Sequence, residues 1–111
     1  MYHYTDGDGF KAISSQINWT FKAKKPPGPH PRGAYFTPLP PDTVDLCTML
    51  MIPKRKTEFL FEFTGDEGLQ PIDQGKGRGA YVLYSPIDYV VEKARQRFRD
   101  KTANYGSEVK Q

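Results

Sequence analysis

Cysteine occurs once, as Cys47, so the chain can form no internal disulfide and no cysteine-built zinc site, and it needs no oxidising compartment to fold. Histidine occurs only as His3 and His30, 27 positions apart, which leaves no metal-ligand cluster to read. No serine stands in a nucleophile-elbow context and no motif supplies Cys47 with a histidine, so hydrolase chemistry of those kinds has little support. No run approaches the ~20 apolar residues that cross a bilayer, and no membrane partner is expected. The opening Met-Tyr-His-Tyr-Thr-Asp-Gly-Asp lacks the basic start and apolar stretch of a secretory signal. Charge of one sign is scarce too, at a net +3.

What is present is 111 residues, enough for a single domain spanning 1–111, with a polar tail from about residue 102. Ten Gly, ten Pro and 14% aromatic residues describe a fold of turns and irregular connections rather than a helical bundle. Basic residues gather in three runs, around Lys22 to Arg32, at Lys54 to Lys56, and from Lys93 to Lys101. Such runs are ordinarily solvated surface, and a patch that steers a polyanion is the alternative.

Tyr2 to Thr5 alternates aromatic and polar side chains as a strand does, and Asp6-Gly7-Asp8-Gly9 turns it into a helix over about Phe10 to Gln16. Phe10, Ile13 and Ile17 would form that helix's buried face. Trp19 and Phe21 suggest a short strand before the Pro26 to Pro31 loop, and Gly33 to Thr37 reads as another strand, stopped by Pro38. A helix or irregular turn is expected from Thr43 to Met51, with Val44, Leu46, Cys47, Leu50 and Met51 inward. Thr57 to Thr64, with Phe59, Phe61 and Phe63 on one side, gives the clearest strand pattern. Ala80 to Ser85 is a further strand, expected to pair with it, after a Gly-Lys-Gly-Arg-Gly loop at 75–79 whose cations and amides suit a pyrophosphate or an ordinary hairpin. Ser85-Pro86-Ile87-Asp88 reads as a helix start, with Ile87, Val90, Val91, Ala94 and Phe98 on one face; a strand at Tyr89 to Val91 is the alternative.

Two short runs, Tyr2-His3-Tyr4-Thr5 and Gly33-Ala34-Tyr35-Phe36-Thr37, together with the Gly7-Asp8-Gly9-Phe10 turn and the break at Pro38 to Pro41, carry a family likeness. The chain resembles toxin-type ADP-ribosyltransferases with the histidine-tyrosine signature, of the diphtheria-toxin and poly-ADP-ribose-polymerase branch. The resemblance implies an α+β fold, with a small split antiparallel β-sheet core of that kind and short flanking helices. It implies NAD as substrate, transfer of ADP-ribose to a macromolecular target with release of nicotinamide, and His3 and Tyr35 as catalytic residues. In such a site His3 holds a ribose and Tyr35 stacks on nicotinamide, with Tyr4, Thr5, Gly33, Ala34 and Phe36 completing the dinucleotide-binding set.

The family's third catalytic position is a carboxylate near the start of a later strand. No acidic residue stands immediately before Tyr81, and Asp73 is taken as the upstream candidate, with Asp88 downstream. Without that carboxylate the chain would be a degenerate relative that binds NAD, ADP-ribose or a protein partner without turnover. The expected acceptor is a protein, with an immunity or host partner and an effector role in the cytosol of a target cell also implied. A third reading, from the residues alone, is a small nucleic-acid-binding domain using Lys93, Arg95, Arg97 and Arg99.

Strand alternation adds a constraint on any such site. If Tyr35 faces the pocket, Ala34 and Phe36 face the opposite layer. His3 shares a face with Thr5, and Tyr2 and Tyr4 turn away.

Overall fold

A computed structural model describes residues 1–25, 30–72 and 81–106. Within it the chain is a mixed α+β fold of short antiparallel strands and two short α-helices. The strands are β1 (Tyr2–Thr5), β2 (Trp19–Phe21), β3 (Ala34–Phe36), β4 (Phe59–Phe63), β5 (Gln70–Pro71), β6 (Leu83–Ser85), β7 (Tyr89–Val91) and β8 (Gln96–Lys101). Helix α1 covers Gly7–Ser14 and α2 covers Leu46–Leu50. The strands make three small sheets, ordered β1-β4-β8, β2-β7 and β3-β6-β5.

Two bridges stitch these sheets along one edge of β3. Tyr2 and Thr37 exchange backbone hydrogen bonds of 2.8 and 2.9 Å, and Lys24 and Gly33 do the same at 3.0 and 2.9 Å. Gly33 is required there, because a Cβ would lie 2.7 Å from both the Ser85 carbonyl oxygen and the Tyr84 ring.

Helix α1 begins at Gly7, inside the stretch expected to be a turn, and ends at Ser14, so it lies earlier in the chain than the expected Phe10 to Gln16. The Asp6 side chain accepts from the Gly9 amide at 3.0 Å, a side-chain N-cap that satisfies one of the orphan donors of the first turn. That hydrogen bond and the Lys56 ammonium, 2.9 Å away, hold the Asp6 carboxyl down at about 2. Gly9 packs so closely on β1 that a Cβ would meet the Thr5 hydroxyl at 2.0 Å.

Two apolar clusters result. The first gathers Trp19, Phe21, Phe36, Phe61, Phe63 and Val91, with Phe21, Phe61, Phe63 and Val91 all but sealed from solvent. The second buries Leu46, Leu50, Ile72 and Val82 beneath half-buried tyrosines, among them Tyr4, Tyr35 and Tyr84.

Several expectations are corrected. The helix expected from Ser85 is instead β7 and β8, separated by a 3₁₀ turn at Lys93–Arg95. Tyr89 and Val91 are buried while Val90 is exposed, a period of two that serves as partner to β2. Asp88 caps no helix; it accepts from the Ala23 amide at 2.8 Å, which holds its carboxyl below the usual range. Strand β6 pairs with β3 and β5, not with the Phe59 to Phe63 strand, whose edges are taken by β1 and β8. Ile17 is 81% exposed because α1 ends at Ser14, before a third turn could carry it inward. Val44 and Met51 are also exposed, since α2 spans only Leu46 to Leu50 and turns just those two leucines inward.

Candidate functional site

Alternation on β1 sends His3 and Thr5 one way, and Tyr2 and Tyr4 the other. The Tyr2 and Tyr4 rings stack with centroids 6.2 Å apart, whereas the imidazole packs on Phe21 at 4.7 Å and Phe36 at 5.5 Å. Alternation on β3 likewise buries Ala34 and Phe36 in the first cluster and turns the Tyr35 ring to the second, 5.9 Å from Tyr84.

The two signature residues meet through ring and main chain. His3 Nδ1 lies 2.8 Å from the Tyr35 carbonyl oxygen, which can only accept, so the nitrogen donates and Nε2 is left as a bare acceptor. Burial among aromatic rings lowers the imidazole's pKa to about 4, against the opposing pull of this hydrogen bond, so the ring is neutral at pH 7. The Tyr35 hydroxyl donates to the Pro31 carbonyl. The phenol ring and the imidazole thus leave their strands toward different clusters, while both residues line one groove of about 350 Å³.

The sheet is interrupted at this point. Continued pairing beyond the Tyr2–Thr37 bridge would set the Tyr4 amide against the Tyr35 carbonyl, but the imidazole has taken that acceptor. Antiparallel alternation directs the N–H and C=O of Tyr4 away from β4, and neither has a backbone partner among the described residues. A side chain therefore replaces a rung of the ladder and leaves a donor and acceptor open beside the groove.

Tyr4, Thr5, Gly33 and Ala34 also line this groove. Phe36 borders a second cavity of about 580 Å³, which shares His3, Tyr4, Tyr35 and Lys56 with the first and is otherwise largely apolar, with Leu50, Ile52 and Val82 in its wall. His30 lines that second cavity. Asp73 and the Gly75 to Gly79 loop lie outside the described residues. Among the described residues no Asp or Glu lines either cavity, and no group of His, Cys, Asp and Glu is placed to hold a metal ion.

Lys22, Lys24 and Lys56 line the groove, although none of them stands out as a site residue in the sequence, where their runs read as solvated surface with a polyanion-steering patch as the alternative. The only signal was the basic character of both segments, since nothing local ties residue 24 to residue 56. The basic run at 93–101 is divided by the fold. Arg95 donates to the Thr64 carbonyl at 2.8 Å and lies over the Phe63 and Tyr89 rings, while on the outer strand β8 the exposed Arg97 donates to the Ala94 and Gln96 carbonyls and the exposed Arg99 to the Ser14 carbonyl. No protein-family model, curated protein or solved structure matches the chain.

Proposed function

We propose that this protein binds NAD across the His3–Tyr35 groove and transfers its ADP-ribose to a macromolecular acceptor, releasing nicotinamide. The observation that carries the reading is the His3 imidazole donating to the Tyr35 carbonyl, which opens the sheet beside Tyr4 and points a neutral ring with one free acceptor at the groove. Nε2 is suited to accept from a ribose hydroxyl. The open N–H and C=O of Tyr4 match the carbonyl and amide of a carboxamide, the polar group of nicotinamide. The division of the strands into small sheets around this opening supports a split core of the ADP-ribosyltransferase kind.

The reaction breaks the bond between the nicotinamide nitrogen and the ribose carbon. The electron pair stays with the departing neutral nicotinamide, and the oxocarbenium-like carbon bonds to an acceptor nucleophile that gives up a proton. In this site His3 fixes a ribose, Tyr4 and Tyr35 orient the nicotinamide end, and closely held groups limit the reorganisation needed to reach the transition state. Asp73 is proposed as the carboxylate that steadies the ribose carbon. A protein is the expected acceptor, consistent with an effector acting in a target cell's cytosol.

The absence of a carboxylate from the described groove lining favours a second reading, a relative that holds NAD or ADP-ribose without turnover. Nicotinamide release from NAD in the presence of cell lysate tests both. Wild-type protein is expected to release nicotinamide, and His3→Gln to lose at least about tenfold of that rate while keeping its circular dichroism, one charge-free hydrogen bond being worth about that factor. NAD binding without release selects the second reading. No binding at millimolar NAD rejects both.

A further inference from the structure

Every titratable side chain lining the first groove, apart from His3 and the tyrosines, is a lysine. Two of the three are already matched. Lys56 Nζ sits 2.9 Å from Asp6, and Lys22 Nζ sits 3.4 Å from Asp88. Lys24 has no carboxylate partner among the described residues, although its backbone is fixed by the paired hydrogen bonds to Gly33 on the groove wall.

This arrangement places on the groove wall one cation that has no carboxylate partner among the described residues, its backbone held against Gly33, with the hydroxyl-bearing Thr5 and Thr20 in the same lining. Lys24 and Lys56 also both act on the imidazole, adding to the effect of burial in keeping it neutral, so the two ammonium groups and His3 belong to one electrostatic neighbourhood. A neutral imidazole beside these cations leaves the anionic ligand to the lysines and the ribose hydroxyls to Nε2.

We propose that Lys24 anchors the diphosphate of a nucleoside diphosphate in this groove, with Lys56, tethered by Asp6, as its weaker companion. That the natural ligand is a dinucleotide rests on the preceding functional reading; the anion site itself does not. Lys24 acts on binding, and its loss is expected in KM and Kd rather than in the rate at saturating ligand.

Titration calorimetry with ADP as the probe, at low and moderate salt, tests it on the full chain. Wild type is expected to bind ADP more weakly as salt rises, and Lys24→Gln to raise Kd about tenfold, the scale of one charge-assisted hydrogen bond. Lys24→Arg should restore most of the affinity, and Lys93→Gln, outside the groove, should leave it unchanged. Equal ADP affinity in wild type and a folded Lys24→Gln, or no ADP binding by wild type at millimolar concentration, overturns the proposal. If Lys24→Gln loses ADP while wild type neither binds nor consumes NAD, the anion site stands and the dinucleotide reading falls. If NAD is consumed and Lys24→Gln keeps wild-type KM, the reverse holds.

Discussion

The cluster around Phe61 is dominated by phenylalanine rings sealed from solvent, with the Tyr89 hydroxyl donating to the Glu67 carbonyl at its rim, whereas the cluster around Tyr35 carries several tyrosines, with hydroxyls at its margin. Phe61 meets Trp19 at 4.9 Å, Phe10 at 5.3 Å and Phe21 at 5.5 Å, without a polar atom in its own side chain. Tyr4, by contrast, sends its hydroxyl to the Leu39 carbonyl at 2.8 Å, and Tyr35 sends its own to the Pro31 carbonyl. Removing apolar surface from water drives the first arrangement. The second trades some of that gain for hydroxyls that hold the irregular segments after Pro31 and Pro38 against the sheet. His3 lies at the seam, its ring on the phenylalanine side and its Nδ1 proton given to the backbone of Tyr35. The difference teaches where a groove can open: beside the seam, where a rigid layer positions the imidazole and a polar-edged layer leaves backbone groups unpaired.

The comparison breaks most sharply at Phe61. Phe61→Ala should lower the unfolding free energy by about 3–5 kcal/mol in urea melts, because neighbouring rings on both sides restrict collapse into the space left behind. A loss below about 1.5 kcal/mol would mean that the first cluster is no tighter than the second.

The seam itself should respond to acid. With a folded pKa of about 4 against an ordinary 6.5, His3 binds its proton more readily in the unfolded chain, so its contribution to stability is complete above pH 6.5 and is lost as pH falls toward 4. The slope for one proton is at most about 1.4 kcal/mol per pH unit. Subtracting the melts of His3→Gln from those of wild type across this window isolates it; parallel curves would show that the imidazole is not held neutral by burial.

The smallest effect belongs to the second cluster. Tyr4→Phe keeps the ring and removes the donor to Leu39, which should cost about 1 kcal/mol in the same melts. A cost as large as that of Phe61→Ala would erase the distinction between the two layers.

Short-range pattern was sufficient for β1, for a helix entered through Asp6 to Gly9, and for β3 and β4, because alternation and turn chemistry are decided by neighbours within a few positions. It was sufficient as well for the opposed faces of Ala34, Tyr35 and Phe36. It failed from Ser85 onward, where proline, serine and apolar spacing fit a helix locally, while β2 and β4 each offered an open edge whose hydrogen bonds only strands could satisfy.

Of the candidate site, the sequence by itself determined the two aromatic-flanked segments and which way their side chains alternate. Only the tertiary structure decided that the imidazole would take the carbonyl due to the next rung, that Tyr4 would be left open, and that Lys24 and Lys56 would face one groove. Those outcomes depend on pairings between segments tens of residues apart, which are set by the burial and hydrogen bonding of the whole chain and leave no periodic trace in any one stretch.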